Sequence, residues 1–189
     1  LRITRTDKGL IKRLFEIECP EIYDGTVEIK AVSRTPGSRS KIAVISNDPN
    51  VDAVGACIGT QKSRINAVTR ELKGEKVDVV MYSEDPEEFI KQALKPAEVL
   101  RVVINDPHVR ACKAIVPDNQ LSLAIGNKGQ NALLAAKLTG FKIDIKAESK
   151  VTPEDLEVIE YPPEPETPAE EEPAEAPAQE TAEAQPEEQ

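Results

Sequence analysis

The chain has 189 residues, of which 39% are hydrophobic and 31% are charged, and its formal net charge is −10. Residues 1–150 hold all 24 basic and 20 of the 34 acidic residues, which gives this part a charge of +4, whereas residues 151–189 hold the other 14 acids and have a charge of −14. Because the acids are concentrated at one end, the overall acidity does not exclude a nucleic-acid partner. The absence of an apolar run of about 18 residues predicts that no helix spans a membrane.

Cysteine and histidine usage argues against a metal site or an enzyme. Cys19, Cys57 and Cys112 are scattered and lack Cys-x-x-Cys spacing, so we expect buried thiols in a reducing cytoplasm. His108 is the single histidine and follows Pro107 in a turn sequence. We find no pair of acids, and no nucleophile beside a base, in an arrangement typical of an active site. We therefore expect no catalytic residue, no metal and no cofactor.

The first half of the chain has the pattern of a mixed unit of helices and strands. Residues 1–6 alternate apolar and polar side chains, as at the end of a strand. Apolar spacing then predicts a helix at 9–19, a hairpin of strands at 25–33 and 41–45, a short apolar segment at 51–58, a helix at 63–72 and a strand at 76–82.

The second half continues with similar elements. A helix is predicted to begin at Pro86 and to end before Pro96, with acids in its first turn. Strands at 99–104 and 111–116, a short helix to Ile125, a helix that stops at Gly140 and a strand at 141–145 follow.

The two halves repeat one order of elements: helix, two strands, helix, loop, helix and strand. Ile58-Gly59 matches Ile125-Gly126 at an offset of 67 residues, and the stretch 74–79 matches 140–145 at an offset of 66. An internal repeat of this kind predicts two copies of one domain. Since a domain of about 70 residues has a marginal core, we expect the copies to pack on one another.

The second copy contains the loop Gly126-Asn127-Lys128-Gly129 between two apolar helical runs. Glycine lets the chain turn sharply and lets another backbone approach closely. The following helix presents unpaired N–H groups and the positive end of its dipole, which suits a phosphate. This is the arrangement of a KH module, whose Gly-x-x-Gly loop clamps single-stranded nucleic acid. A helix corner that needs glycine only for its geometry is the alternative, and the loop's repetition in both copies argues against it.

The first copy has Gly59-Thr60-Gln61-Lys62, so that Lys62 stands where the second copy has Gly129. A side chain here should obstruct a close backbone approach, and lysine adopts a positive φ only at a cost. Its ammonium group would attract a phosphate, so the sequence leaves open whether Lys62 weakens or aids the loop. A nucleotide-triphosphate loop is excluded because the pattern requires a second glycine where Gln61 precedes the lysine.

Longer motifs resemble the KH region of the NusA family of bacterial transcription factors. Those of the first copy are Leu14-Phe15-Glu16, Pro20-Glu21-Ile22-Tyr23-Asp24-Gly25, Pro36-Gly37-Ser38-Arg39 and Val54-Gly55-Ala56-Cys57-Ile58-Gly59, and that of the second copy runs from Gln120 to Asn131. The resemblance covers residues 1–148. It implies an α+β fold of two tandem type II KH domains, each a three-stranded sheet with helices packed on one face. Residues 7–83 would form the first domain, 84–149 the second, and 1–6 the end of a preceding S1 domain.

NusA-like proteins bind nascent RNA and RNA polymerase and modulate pausing, termination and antitermination. The resemblance implies that this chain binds single-stranded RNA, whereas polymerase binding belongs to an N-terminal domain that has no match here. We expect a cytoplasmic monomer. The RNA contacts that the resemblance implies are Gly59, Thr60, Gln61, Lys62, Ser63, Arg64, Gly126, Asn127, Lys128, Gly129, Gln130 and Asn131, and we add Arg39 and Lys41 on charge alone.

Residues 150–189 are rich in proline, glutamate and alanine and are expected to form a disordered acidic tail. The tail would either keep the protein soluble or compete with RNA for the basic domains. For the whole chain, the alternative to RNA binding is a protein-interaction scaffold in which the loops are structural.

Overall fold

The computed structural model describes residues 4–106 and 108–156. Residues 4–6 are not in a strand, and the rest of the strand expected at 1–6 lies outside the described residues. The tail expected at 157–189 lies outside them as well. Within the described part, no helix is long and apolar enough to cross a membrane.

The first repeat folds into a three-stranded sheet with four helices. Its elements are α1 (Lys8–Glu18), α2 (Pro20–Tyr23), β1 (Val27–Thr35), β2 (Arg39–Ser46), α3 (Ala53–Ile58), α4 (Ser63–Glu71) and β3 (Lys76–Met81). The strand order is β1-β2-β3, with β1 antiparallel and β3 parallel to β2. The parallel strand β3 follows a crossover through α3 and α4, as parallel pairing requires.

The second repeat has the same topology. Its elements are α5 (Pro86–Ala93), β4 (Arg101–Asp106), β5 (Ala111–Val116), α6 (Leu121–Ile125), α7 (Gln130–Thr139) and β6 (Lys142–Ala147). The strand order is β4-β5-β6, again with one antiparallel and one parallel pair. The predicted fold class and the repeated order of elements are therefore confirmed, and the short helix α2 is an addition.

The core of the first domain lies between one face of its sheet and the helices. Ile11 and Phe15 of α1, Cys57 of α3 and Val68 of α4 are fully buried there. A buried side chain of this size contributes about 1.5–3 kcal/mol of hydrophobic stabilisation. This core holds α3 and α4 against the sheet and so orients the loop between them.

The opposite face of the first sheet is covered by the second domain. Ala43 and Val80 of the first sheet belong to the same buried cluster as Phe89, Ile90 and Leu94 of α5 and the segment that follows it. All five residues from Ser40 to Val44 are buried, which is typical of a strand covered on both faces. The two domains therefore share a core.

A buried ion pair braces the turn between β1 and β2. The guanidinium group of Arg34 donates two hydrogen bonds of 2.9 Å to Glu75, and the backbone N–H of Gly37 and the hydroxyl of Ser40 donate to the same carboxylate. Burial raises the pKa of Glu75, but these donors outweigh it and the pKa lies below its usual value.

The second domain extends further than the sequence predicted. Residues Glu148–Lys150 and Pro153–Leu156 form 3₁₀ turns, and Asp155 is only 3% exposed. The expected start of the tail at residue 150 is therefore wrong. The carboxylate of Asp155 accepts hydrogen bonds from Lys113 and Lys146, which a pattern of prolines and acids does not reveal.

The three cysteines are free and buried, as expected. Burial raises the pKa of the Cys112 thiol to about 12, so this group is a packing residue rather than a nucleophile.

Candidate nucleic-acid interface

The two loops have almost the same backbone. The first glycine follows α3 or α6 in an extended, positive-φ conformation: Gly59 has φ 73° and ψ 167°, and Gly126 has φ 76° and ψ 175°. The third residue is left-handed in both loops, with φ 52° at Gln61 and at Lys128. The fourth is left-handed too, with φ 62° at Lys62 and 72° at Gly129. Thus the first loop keeps the Gly-x-x-Gly shape without its second glycine.

The two glycines of the second loop contribute in different ways. A Cβ on Gly126 would lie 2.7 Å from the Cβ of Asn131, and a Cβ on Gly59 would lie 2.8 Å from the Cγ of Arg64. A Cβ on Gly129 would meet nothing within 4 Å. The first glycine is therefore needed for space, whereas the second only eases a left-handed conformation that Lys62 also adopts, at a cost of roughly 1–2 kcal/mol.

The loop tips are open to solvent. Thr60, Gln61, Lys62 and Ser63 are exposed in the first loop, as are Asn127 and Lys128 in the second. Helices α4 and α7 begin at these loops, and neither start has a side-chain cap. The positive end of each helix dipole therefore lies at its loop, next to the lysine.

A groove runs beside the first loop, between α4 and the edge strand β3. Its volume is about 740 Å³, and it is lined by Ile58, Lys62, Ile65, Asn66, Thr69, the strand residues from Lys76 to Val80, and Lys95 and Pro96. The last two belong to the second domain, so both domains build this groove. Its apolar side chains can accept a base, and its three lysines can neutralise phosphates.

The surface beside the second loop is more apolar. At the repeat offset of 67, Leu133 stands where the first groove has Asn66, and it is 51% exposed. Ile125, which corresponds to Ile58, is 38% exposed. Exposed leucine and isoleucine beside a phosphate loop suit contact with the faces of bases.

Two predicted RNA contacts instead support the loops. The side-chain amide of Asn131 donates to the carbonyl oxygens of Ala124 and Leu94, and Asn131 is 2% exposed. Arg64 donates to the carbonyl oxygen of Ala56 and to Glu21, both at 2.7 Å. The prediction of an RNA contact through the Asn131 side chain is wrong, because the side chain is buried within the protein.

The two cations that were chosen on charge alone both pair with Asp78 of the first domain, and Lys41 also contacts the second domain. Lys41 is fully buried, and its ammonium group donates to the carbonyl oxygen of Lys95 at 2.6 Å and lies 3.3 Å from Asp78. Burial lowers the pKa of Lys41. An RNA contact by Lys41 is therefore wrong, since the second domain covers this lysine. Arg39 forms two hydrogen bonds, of 2.6 and 2.9 Å, with Asp78, which raises the pKa of Arg39.

Gln130 also joins the domains. Its side-chain amide donates to the hydroxyl of Ser38 in the turn between β1 and β2, at 2.7 Å. The second loop is thereby held next to the first domain, and Ser38 in turn accepts at its carbonyl oxygen from the N–H of Lys76 at the end of the first groove.

Sequence reasoning missed the groove residues outside the loops, among them Ile65, Asn66, Lys76 and Lys95. The helical spacing of Lys62, Ile65, Asn66 and Thr69 was a usable signal, because residues three and four apart share one face. No comparable signal pointed to Lys95, which reaches the groove only through the packing of the domains.

Comparison with known proteins gives two family matches in the same order as the two domains. Residues 5–82 match the NusA-like first KH domain, and residues 86–153 match the NusA-like second KH domain. The chain is similar to the transcription termination/antitermination protein NusA of Bacillus subtilis, with 60% identity over 147 residues, which is 78% of this chain and 39% of that protein. NusA of Mycobacterium tuberculosis H37Rv is 50% identical over 153 residues, 81% of this chain and 44% of that protein.

These curated relatives are longer, and the chain spans about two fifths of their length. Among solved structures, the crystal structure of APE1850 matches with a TM-score of 0.55 at 20% identity, covering 74% of this chain and 97% of that one. That likeness shows the fold alone.

Proposed function

Because the chain belongs to the NusA family and carries the family's two KH domains in tandem, we propose that it binds single-stranded RNA. We further propose that it does so within a factor that regulates transcription elongation, pausing, termination and antitermination. It acts by binding rather than by catalysis, as a monomer in the cytoplasm. RNA polymerase is a partner of the whole factor and not of these two domains.

The observation that carries this proposal is the shared backbone of the two loops. Both keep three positive-φ residues next to an uncapped helix start, although one lacks the second glycine. Strained conformations persist where the surrounding structure or a function maintains them. A phosphate placed at the loop would meet the positive end of the helix dipole and the ammonium group of Lys62 or Lys128.

The groove beside the first loop accounts for the preference for single strands. Bases must leave a duplex to lie between a helix and an edge strand, and the first groove offers about 740 Å³ for them. The side chain of Asn66 supplies hydrogen-bonding groups in that groove, whereas Leu133 beside the second loop supplies an apolar surface. The two sites should therefore differ in base preference.

The proposal is tested by titrating the full chain with a fluorescent single-stranded RNA. In Gly129→Asp, a carboxylate takes the place nearest the bound phosphate, and we expect the affinity to fall at least tenfold at low salt. Gly140→Asp is the matched control, because Gly140 has nearly the same backbone, with φ 78° and ψ 11° against 72° and 12°, at the far end of α7.

Equal affinities of wild type and Gly129→Asp would contradict the proposal and favour the protein-interaction scaffold. Equal losses of RNA affinity in Gly129→Asp and Gly140→Asp would show that the added negative charge weakens binding wherever it is placed on the second domain. For wild type, the logarithm of the affinity should fall with the logarithm of the salt concentration, by about 0.7 for each phosphate contact.

A further inference from the structure

The segment that joins α5 to β4 exposes two residues between two buried ones. Lys95 and Pro96 are exposed, whereas Leu94 before them and Ala97 after them are buried. The backbone N–H of Ala97 donates to the carbonyl oxygen of Leu94 at 3.2 Å, which closes the segment into a turn. Both exposed residues line the groove beside the first loop. The second domain therefore contributes two anchored residues to the groove of the first.

Two buried side chains, one from each domain, hold the backbone of this segment. The ammonium group of Lys41, on β2, donates to the carbonyl oxygen of Lys95 at 2.6 Å. The side-chain amide of Asn131, in the first turn of α7, donates to the carbonyl oxygen of Leu94 at 3.0 Å. Because a buried ammonium group is costly unless it is paired, the contacts of Lys41 with Asp78 and with this carbonyl oxygen are tightly constrained. The segment is thus fixed relative to both the first sheet and the second loop.

The charges of the groove favour an anion. The exposed lysines that line it are Lys62, Lys76 and Lys95. Among the described residues, none of these three ammonium groups forms a hydrogen bond or an ion pair. The acid in the lining, Asp78, lies 2.6 Å from Arg39 and 3.3 Å from Lys41. Since this carboxylate is already compensated, the three lysines set the potential of the groove.

The corresponding lysine of the second domain serves a different contact. In the parallel pair of β2 and β3, Lys41 lies opposite Asp78. In the parallel pair of β5 and β6, Lys113 lies opposite Asp144, so the two lysines correspond. Lys113 donates to Asp155 at 2.8 Å and lines a cavity of about 490 Å³ that contains no residue of the second loop or of α7. The position is therefore linked to a loop-side groove in the first domain and not in the second.

We propose that Lys95 is an RNA-binding residue of the first groove, and that Lys41 is the positioning residue that holds it there. The proposal rests on the proposed function and adds to it a phosphate contact that the second domain supplies to the site of the first. A cation on a backbone that is already fixed binds a phosphate without the entropic cost of ordering a loop. The first site is therefore complete only when the two domains are packed together.

The contact is tested by titrating the full chain with a fluorescent single-stranded RNA in Lys95→Glu and in Lys12→Glu. Lys12 is an exposed lysine on α1, and the residues that share its surface pocket do not line the groove. Both variants change the net charge equally. We expect Lys95→Glu to lower RNA affinity about tenfold at low salt and Lys12→Glu to lower it less than about twofold.

The salt dependence gives a second measurement of the same contact. Lys95→Ala should reduce the slope of the logarithm of the affinity against the logarithm of the salt concentration by about 0.7, the value for one phosphate contact on a single strand. Lys12→Ala should leave this slope unchanged.

Lys41→Met tests the positioning role, because methionine keeps much of the side-chain volume and removes the donor. It should lower RNA affinity about threefold under conditions in which circular dichroism shows the chain to be folded. In the Lys95→Ala background it should cause no further loss, because the contact that Lys41 positions is already absent. Equal losses in both backgrounds would mean that Lys41 acts only through stability and would overturn its positioning role.

If Lys41→Met fails to fold, Lys41→Leu makes the same comparison with a smaller side chain. Lys95→Glu and Lys12→Glu decide the phosphate contact in either case, because both lysines are exposed.

Equal affinities of Lys95→Glu and Lys12→Glu, or an unchanged salt slope in Lys95→Ala, would overturn the phosphate contact while leaving the proposed function intact. If wild type does not bind single-stranded RNA, or if Gly129→Asp binds as wild type does, the proposed function fails and the contact at Lys95 fails with it.

Discussion

The two loops have nearly the same dihedral angles but differ at their fourth residue, which is Lys62 in one and Gly129 in the other. The first residue is glycine in both, and in both a Cβ there would collide with the start of the following helix. The comparison teaches that the close contact of the first glycine, together with the packing of the two helices, sets the shape of the loop. The second glycine only lowers the conformational free energy of a left-handed residue at the fourth loop position.

The outer faces of the two sheets offer a second comparison. Lys41 is buried beneath the second domain, whereas the corresponding Lys113 has a side chain that is 25% exposed and lies beneath a short turn. The same position thus serves a domain contact in one copy and a local clamp in the other. The predictions below use substitutions at matched positions.

The largest effect is expected at the first glycine. Gly126→Ala places a Cβ 2.7 Å from that of Asn131 and 2.9 Å from the Asn131 backbone nitrogen, in a region of φ and ψ that favours glycine. We expect the free energy of unfolding to fall by about 3 kcal/mol, against about 1 kcal/mol for Gly129→Ala, which has open space. Urea denaturation of both variants measures the difference. Equal losses would mean that the contact with Asn131 does not constrain the loop.

A smaller effect is expected on the outer faces. Lys41→Ala leaves the carbonyl oxygen of Lys95 without its buried donor and opens a cavity, so the free energy of unfolding should fall by about 2 kcal/mol. Lys113→Ala removes a partly exposed lysine whose partner Asp155 keeps Lys146, and the loss should stay below about 1 kcal/mol.

The same denaturation experiment measures these two variants. Lys41→Met serves as a control, because it keeps the volume of the side chain and removes only the charge and the donor. A larger loss for Lys113→Ala than for Lys41→Ala would contradict the assignment of Lys41 to the contact between the domains.

The smallest effect on stability is expected at the position that distinguishes the loops. Lys62→Gly relieves a left-handed lysine and should raise the free energy of unfolding by up to about 1 kcal/mol. RNA affinity should nevertheless fall about threefold, because the loop keeps its shape and loses a cation at the rim of the groove. The reciprocal variant Gly129→Lys should do the opposite on both counts. Tighter RNA binding by Lys62→Gly would show that the lysine obstructs the phosphate.

Much of the fold could be predicted from the sequence, because helices and strands bury one face and their periodicities differ. The order of elements, the repeat and the place of both loops follow from this, and β5 was predicted at its observed bounds of Ala111–Val116. The site was harder. Lys41, Asn131 and Gln130 are polar residues in or near basic motifs, and their role depends on which other segment packs against them.

One signal was available and unused. The run from Ile42 to Ile45, which follows Lys41, is apolar at every position, and a strand that is apolar on both faces is typically covered on both. That pattern indicates that Lys41 faces protein. Nothing comparable identifies Asp155, because an acid in a stretch of prolines and acids is fixed only when the fold brings it to Lys113 and Lys146 on the paired strands β5 and β6.

The sequence by itself determined the repeated KH topology, the two loops and the required first glycines, since these depend on local periodicity and on backbone sterics. Only the tertiary structure decided which charged residues are available to RNA. The packing of the second domain on the first buries Lys41, brings Lys95 into the first groove and ties Gln130 to Ser38. Charge is a property of a residue, but its access to a ligand is a property of what packs around it.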